Sequence, residues 1–203
     1  MKKITTRRSL GAAAVALLFA GTALAQQPPT QRVSGTIEQV SGNTLTVKPR
    51  DGAAIKIMLA GDAQVTAVAK ASLADIKEGS YIGSGAMPQP DGTQKAVEVH
   101  IFTEAQRGNG DGHRPWAGAP NGTMTNGAVG AKVSGVDGPV LTVKYKGGEK
   151  KLIVTPATPI VRYEVSDKSE LKSGANIRTN AVKKPDGTLE AARISVGRDG
   201  LVP

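Results

Sequence analysis

The sequence predicts an all-β protein made of two tandem small barrels, joined by a glycine-rich linker and preceded by a signal peptide. Three observations carry this reading. The chain matches itself at an offset of 96 residues, its apolar positions alternate with period two, and its helical signal is confined to one or two turns inside a repeating unit of about 70 residues. Val33, Val40, Gly42 and Leu45-Thr46-Val47-Lys48 meet Val129, Val136, Gly138 and Leu141-Thr142-Val143-Lys144. After a one-residue slip, Lys77, Gly79, Ile82 and Pro90-Asp91-Gly92-Thr93 meet Lys172, Gly174, Ile177 and Pro185-Asp186-Gly187-Thr188. Two copies are too few for a solenoid, so the expectation is two domains, residues 33–102 and 129–197.

The elements follow in order. Residues 1–25 have a basic start, an apolar run from Leu10 to Ala20 and the small residues Ala23-Leu24-Ala25, the pattern of a cleaved signal peptide on either the general secretory or the twin-arginine route. A polar segment, 26–32, leads into the first copy. There Val33, Gly35 and Ile37 are expected on one strand face, aligned with Val129, Ala131 and Val133. Leu45 and Val47 belong to a second strand, Ile55, Ile57 and Leu59 to a third, and Val65–Val68 to a short fourth. Ser72 to Gly79 supplies an N-cap, a helical turn and a terminating glycine. Two further strands, 81–87 and 96–102, meet through a Pro-Asp-Gly turn. Five or six short strands with one inserted turn suggest a barrel of the OB type.

Each copy resembles the bacterial domain-of-unknown-function family number 5666, an exported OB-like module. Gly35-Thr36-Ile37, the 45–48 strand, Ser72-Leu73 to Gly79 and the late Pro-Asp-Gly-Thr carry the resemblance. It covers 33–102 better than 129–197, where Ala131-Lys132-Val133 stands in place of the opening signature. The matching residues are turn and core positions, so the resemblance implies a scaffold and transfers no catalytic residue.

Composition narrows the chemistry. The 203 residues include no cysteine, which excludes disulfides, thiolate metal sites and a cysteine nucleophile. Only two histidines, His100 and His113, are present, too few for a three-histidine zinc site. No Gly-x-Ser-x-Gly elbow or phosphate-binding loop occurs, and the expectation is that the protein is not an enzyme. Of the formal charge of +9, four positive charges, Lys2, Lys3, Arg7 and Arg8, lie in the leader, and the rest of the excess is in the second copy, with 12 basic against 7 acidic residues in 129–197. There Lys144, Lys146, Lys150, Lys151, Arg162, Arg178, Lys183 and Lys184 offer a surface for anionic envelope material. Few aromatic side chains accompany that charge, which argues against single-stranded nucleic acid. The apolar run of the leader is too short for a membrane span, and no other stretch suits one, so the protein is not expected to be integral to a membrane.

On the last strand of the first copy Val97, Val99 and Ile101 take the inward parity. Glu98 and His100 then share the outer face, an oxygen and a nitrogen for a divalent metal. Further ligands would come from the connector, residues 103–128, where Asp111, His113, Arg114 and the only tryptophan, Trp116, lie close together. A connector this long and rich in glycine is either disordered or functional. A plain packing role is the stronger expectation for Trp116, docked on the outer face near Phe102. The sequence thus favours an exported, non-enzymatic binding or scaffold protein of the periplasm or envelope, partnered by an envelope protein or an anionic envelope ligand. The alternative is a periplasmic metal-binding accessory protein of a transport system that uses Glu98, His100, Asp111 and His113.

Overall fold

The computed structural model describes residues 29–136 and 138–203; residues 1–25, expected to be a signal peptide, lie outside them. Twelve strands and three short 3-10 helices make up these residues, an all-β architecture. Strands β1 (Thr30–Ser41), β2 (Thr44–Pro49) and β3 (Ile55–Ala71) form a meander. Strands β4 (Tyr81–Pro88) and β5 (Gln94–Ile101) form a hairpin, and β6 (Gly112–Pro115) is a short strand in the connector. A second meander follows in β7 (Thr123–Val133), β8 (Val140–Tyr145) and β9 (Gly148–Ile153). Strand β10 (Ile160–Ser166) precedes the final hairpin of β11 (Asn176–Lys183) and β12 (Leu189–Gly197).

The pairing corrects the in-line expectation of one barrel per copy. The first barrel is the ring β1-β2-β3-β12-β11, closed by antiparallel β1–β11 and parallel β3–β12 pairing. The second ring is β7-β8-β9-β5-β4, closed by the parallel pairs Gln94–Leu152 and Lys95–Ile153. Each ring therefore takes a three-stranded meander from one copy and a hairpin from the other. The physical cause lies in β3, which stays extended through Ala60-Gly61-Asp62-Ala63 and carries the chain past the end of its own barrel. In the second copy Pro156 and Pro159 align with Ala60 and Ala63. Proline has no N–H to give a ladder, and β9 and β10 are accordingly separate strands. The far half of β3 pairs antiparallel with β10, and β10 in turn runs parallel to β5, joining the two rings into one sheet.

Two apolar cores match the two rings. Ile37, Leu45, Val47, Ile57, Ile177 and Val196 fill the first, with Leu171 at one end, and Ile82, Val99, Val129, Leu141, Val143 and Leu152 fill the second, with Ile76 at the equivalent place. Ile76 and Leu171 each follow a 3-10 helix, Leu73–Asp75 and Lys168–Glu170. Both Pro-Asp-Gly-Thr turns have the same geometry. Asp91 and Asp186 each accept from the backbone N–H of the following threonine, Thr93 or Thr188, at 2.9 Å, and Gly92 and Gly187 take φ of +84° and +85°.

Register revises the first strand of the second copy. Ile37 pairs with Val47 and Val129 with Val143, each just before a bulge. Gly127-Ala128-Val129, and not Ala131-Lys132-Val133, therefore occupies the place of Gly35-Thr36-Ile37. A Cβ on Gly35 would lie 2.3 Å from the Lys48 carbonyl oxygen, and one on Gly127 would lie 2.3 Å from that of Lys144. The loop between β7 and β8 is longer than the one between β1 and β2, and this displaced the alignment by four residues. Val133, expected inward, is exposed. Val97 is exposed as well, because it falls at the β4–β5 bulge that turns Ala96 and Val99 inward.

Candidate functional site

The chemistry-bearing side chains gather on the outer face of β4, β5 and β10. Strand β4 alternates Ile82 and Ala86 toward the core with Tyr81, Gly83 and Gly85 outward. The outward glycines leave a flat trough, and aromatic rings lie in it: a Cβ on Gly83 would meet the Phe102 ring at 2.8 Å, and one on Gly85 the Trp116 indole at 2.6 Å. Phe102 stacks on Tyr163 with ring centroids 5.4 Å apart and tilts against Tyr81 at 5.8 Å. His100 stands edge-on to Tyr163, its Nε2 lies 3.5 Å from Glu98 Oε1, and its Nδ1 lies 3.5 Å from the Tyr163 hydroxyl. The hydrogen bond from His100 holds the Glu98 carboxyl below its ordinary range, against the opposing effect of burial.

The connector is ordered against this face. Its first turn, Glu104–Gln106, leads to Arg107, which donates to the Gly79 carbonyl and lies over the Tyr81 ring. Asp111 is a clamp. One of its oxygens accepts from the Tyr81 hydroxyl at 3.2 Å and the other from the Lys146 backbone N–H at 2.7 Å. Burial, followed by the charge and hydrogen bond of Asp111, pushes the Tyr81 hydroxyl up to about 12. His113 Nδ1 lies 2.8 Å from Thr125 Oγ1, and its ring stacks on Tyr145. Burial, with Lys150 as a lesser cause, holds the imidazole below its ordinary value. Arg114 caps the local turn by donating to the Gly110 carbonyl. The Trp116 side chain is half-buried over Gly85, between Gly118 and Gly122, and the residue's backbone N–H donates to the Gly122 carbonyl. The indole thus packs on the outer face as expected, on the glycine next along β4 from the one beneath Phe102.

The four expected metal ligands divide into two pairs. Glu98 and His100 belong to β5, Asp111 and His113 to the connector. The rows His100–Gly83, Gly83–Asn126 and Asn126–Gly112 place three interstrand spacings between β5 and β6, roughly 14 Å at about 4.8 Å each. In this structure the two pairs do not share one ion-sized site. Among the described residues no three His, Asp or Glu side chains converge on a point.

The basic residues are also dispersed. Arg162 pairs with Glu164 and Asp75, Lys184 with Glu190, and Arg198 with Glu164 and Glu170. Arg178 is different. It is half-buried on the outer face of β11, its Nε has no hydrogen-bond partner, and burial followed by the nearby charge of Arg32 lowers its pKa. Tyr163 and Arg32 were not singled out from the sequence, because neither lies in a motif and only the exchanged topology brings them beside His100 and Arg178. Among the described residues no helix is long and apolar enough to cross a membrane. Comparison with family models, with curated proteins and with solved structures finds no match for this chain.

Proposed function

We propose that the protein is an exported, non-enzymatic binding or scaffold module of the bacterial periplasm or envelope, built of two OB-like barrels with exchanged hairpins. The observation that carries this reading is the use made of the reactive side chains. Asp111 and His113 fasten the connector to Tyr81, Lys146 and Thr125, and Glu98 and His100 tie β5 to Tyr163 on β10. These groups build a rigid platform. The ring order, with antiparallel closure between the first and fourth positions and parallel closure between the third and fifth, supports the OB-like description. Export rests on the leader and on the resemblance to exported modules. Native mass spectrometry with metal analysis, on protein purified from its own periplasm, tests the reading. A macromolecular or anionic partner without stoichiometric metal is the expected result. A stoichiometric divalent metal that is lost when His100 and His113 are replaced together would establish the metal-accessory alternative.

A further inference from the structure

The two rings agree pair for pair along their first strands, apart from one element. Ile82 pairs with Gly127 and Ala86 with Thr123, as Ile177 pairs with Gly35 and Ala181 with Gln31. On the other side of β7, β8 covers Ala128–Val133, and β6 then continues the same edge over Thr123–Asn126. In the first ring β2 covers β1 as far as Gly35. Beyond it, Thr30–Ser34 pair only with β11 among the described residues. The edge that β6 occupies in the second ring is thus an open strand edge in the first.

This edge borders a cleft of about 440 Å³ lined by Arg32, Ser34, Pro49, Arg50, Asp51 and Ile55. Its lining includes the positions that the added strand contacts in the filled one. Asp111, at the start of the added segment, accepts from the backbone N–H of Lys146, the counterpart of Arg50, while His113 stacks on Tyr145, the counterpart of Pro49. Met124, opposite Arg114, corresponds to Arg32. Arg32 and Arg50 are exposed and make no ion pair among the described residues, and Arg178 lies diagonally beside Arg32 on the same face.

We propose that the β1 edge, Thr30–Ser34, takes an extended acidic segment of a partner protein as an added antiparallel strand, with carboxylates set against Arg32 and Arg50. Main-chain hydrogen bonds supply the affinity, and the alternating side chains supply the choice of partner. A second copy pairing antiparallel with Arg32 at the centre would place two arginines directly opposite each other, and dimerisation of the free chain through Thr30–Ser34 would overturn the choice of partner. The proposal rests on the reading of the protein as a binding module and names the class of its partner.

The probe is a hexapeptide that copies residues 111–116 but carries glutamate in place of Arg114, titrated into the full mature chain and followed through backbone amide signals. Shifts and slowed hydrogen exchange confined to Thr30–Ser34 and the Pro49–Asp51 turn are expected. N-methylation of alternate peptide amides should abolish them, which charge attraction alone would not do. Arg32→Glu should weaken the acidic probe about tenfold or more and favour the probe that retains arginine. An unchanged thermal transition will show that this variant is folded. No shift at Thr30–Ser34 at millimolar probe overturns the proposal. Shifts that map elsewhere overturn the edge assignment and leave the binding-module reading standing. Protection of the same amides by anionic lipid vesicles and not by the peptide overturns it in favour of a lipid headgroup.

Discussion

Gly127 and His113 show how much single residues decide here. At Gly127 a methyl group would meet the backbone of β8, which cannot move aside, so Gly127→Ala should cost about 2–3 kcal/mol. Gly35→Ala should behave alike in the first ring. Gly61→Ala is the control, since a Cβ there meets nothing within 4 Å and the backbone is not left-handed, so it should be neutral or slightly stabilising. Urea unfolding of the three variants checks this ordering. His113 sets a pH dependence. The folded protein holds its imidazole below the ordinary value, so the unfolded chain binds more protons as pH falls through about 6.5. The stability it contributes is fully present above that pH and is lost below it. Between pH 7 and pH 5 the connector should therefore loosen and Trp116 emission should move to the red. His113→Asn should flatten that transition, and an emission maximum indifferent to pH in the parent protein would contradict the account. Glu98 does not compete in this window, because its carboxyl titrates below the ordinary range.

Among the elements, β6 and the turn after it act as a strap across the second ring, with Trp116 as its anchor. Trp116→Ala removes a half-buried indole from over Gly85 and should cost roughly 1–3 kcal/mol, less than a fully buried tryptophan. It should also open the Ala117–Gly122 turn to protease, while the first ring stays protected. The strap shows where local sequence informs and where it stops. Its tryptophan and its acidic clamp were visible as residues out of place in a plain linker, but its strand was not, since Gly-His-Arg-Pro has neither alternation nor β-propensity. It is extended only because β7 offers it a ladder. The strands and turns were legible because inward alternation and the Pro-Asp-Gly-Thr turns are local chemistry. The outer aromatic face was half legible: the parity of Glu98 and His100 held, whereas the bulge at Val97 reversed that of its neighbour. No local pattern announces a bulge.

At the scale of the whole molecule, the exchange of hairpins is the feature that the sequence does not disclose. Equivalent strands carry equivalent inward residues, Ile82 with Ile177 and Val99 with Ile194, so in-line and exchanged barrels bury the same kinds of side chain. Only the straight run of β3 decides between them. The arrangement predicts which fragments fold. Residues 71–162 contain every strand of the second ring, together with Ile76 and Ile160 of its core. This fragment should give a cooperative thermal transition, while residues 30–102, the first sequence copy, should not. The opposite result would restore the in-line barrels. The same nesting imposes an order in time. A chain delivered from its N-terminus can complete the inner ring once residue 162 has emerged. The outer ring must wait, with Val33, Ile37, Leu45 and Val47 unsheltered, for a hairpin that arrives roughly a hundred residues after β3. Until then the nascent protein is half native and half adhesive, and the last strand to be delivered is the one that covers the remaining apolar surface.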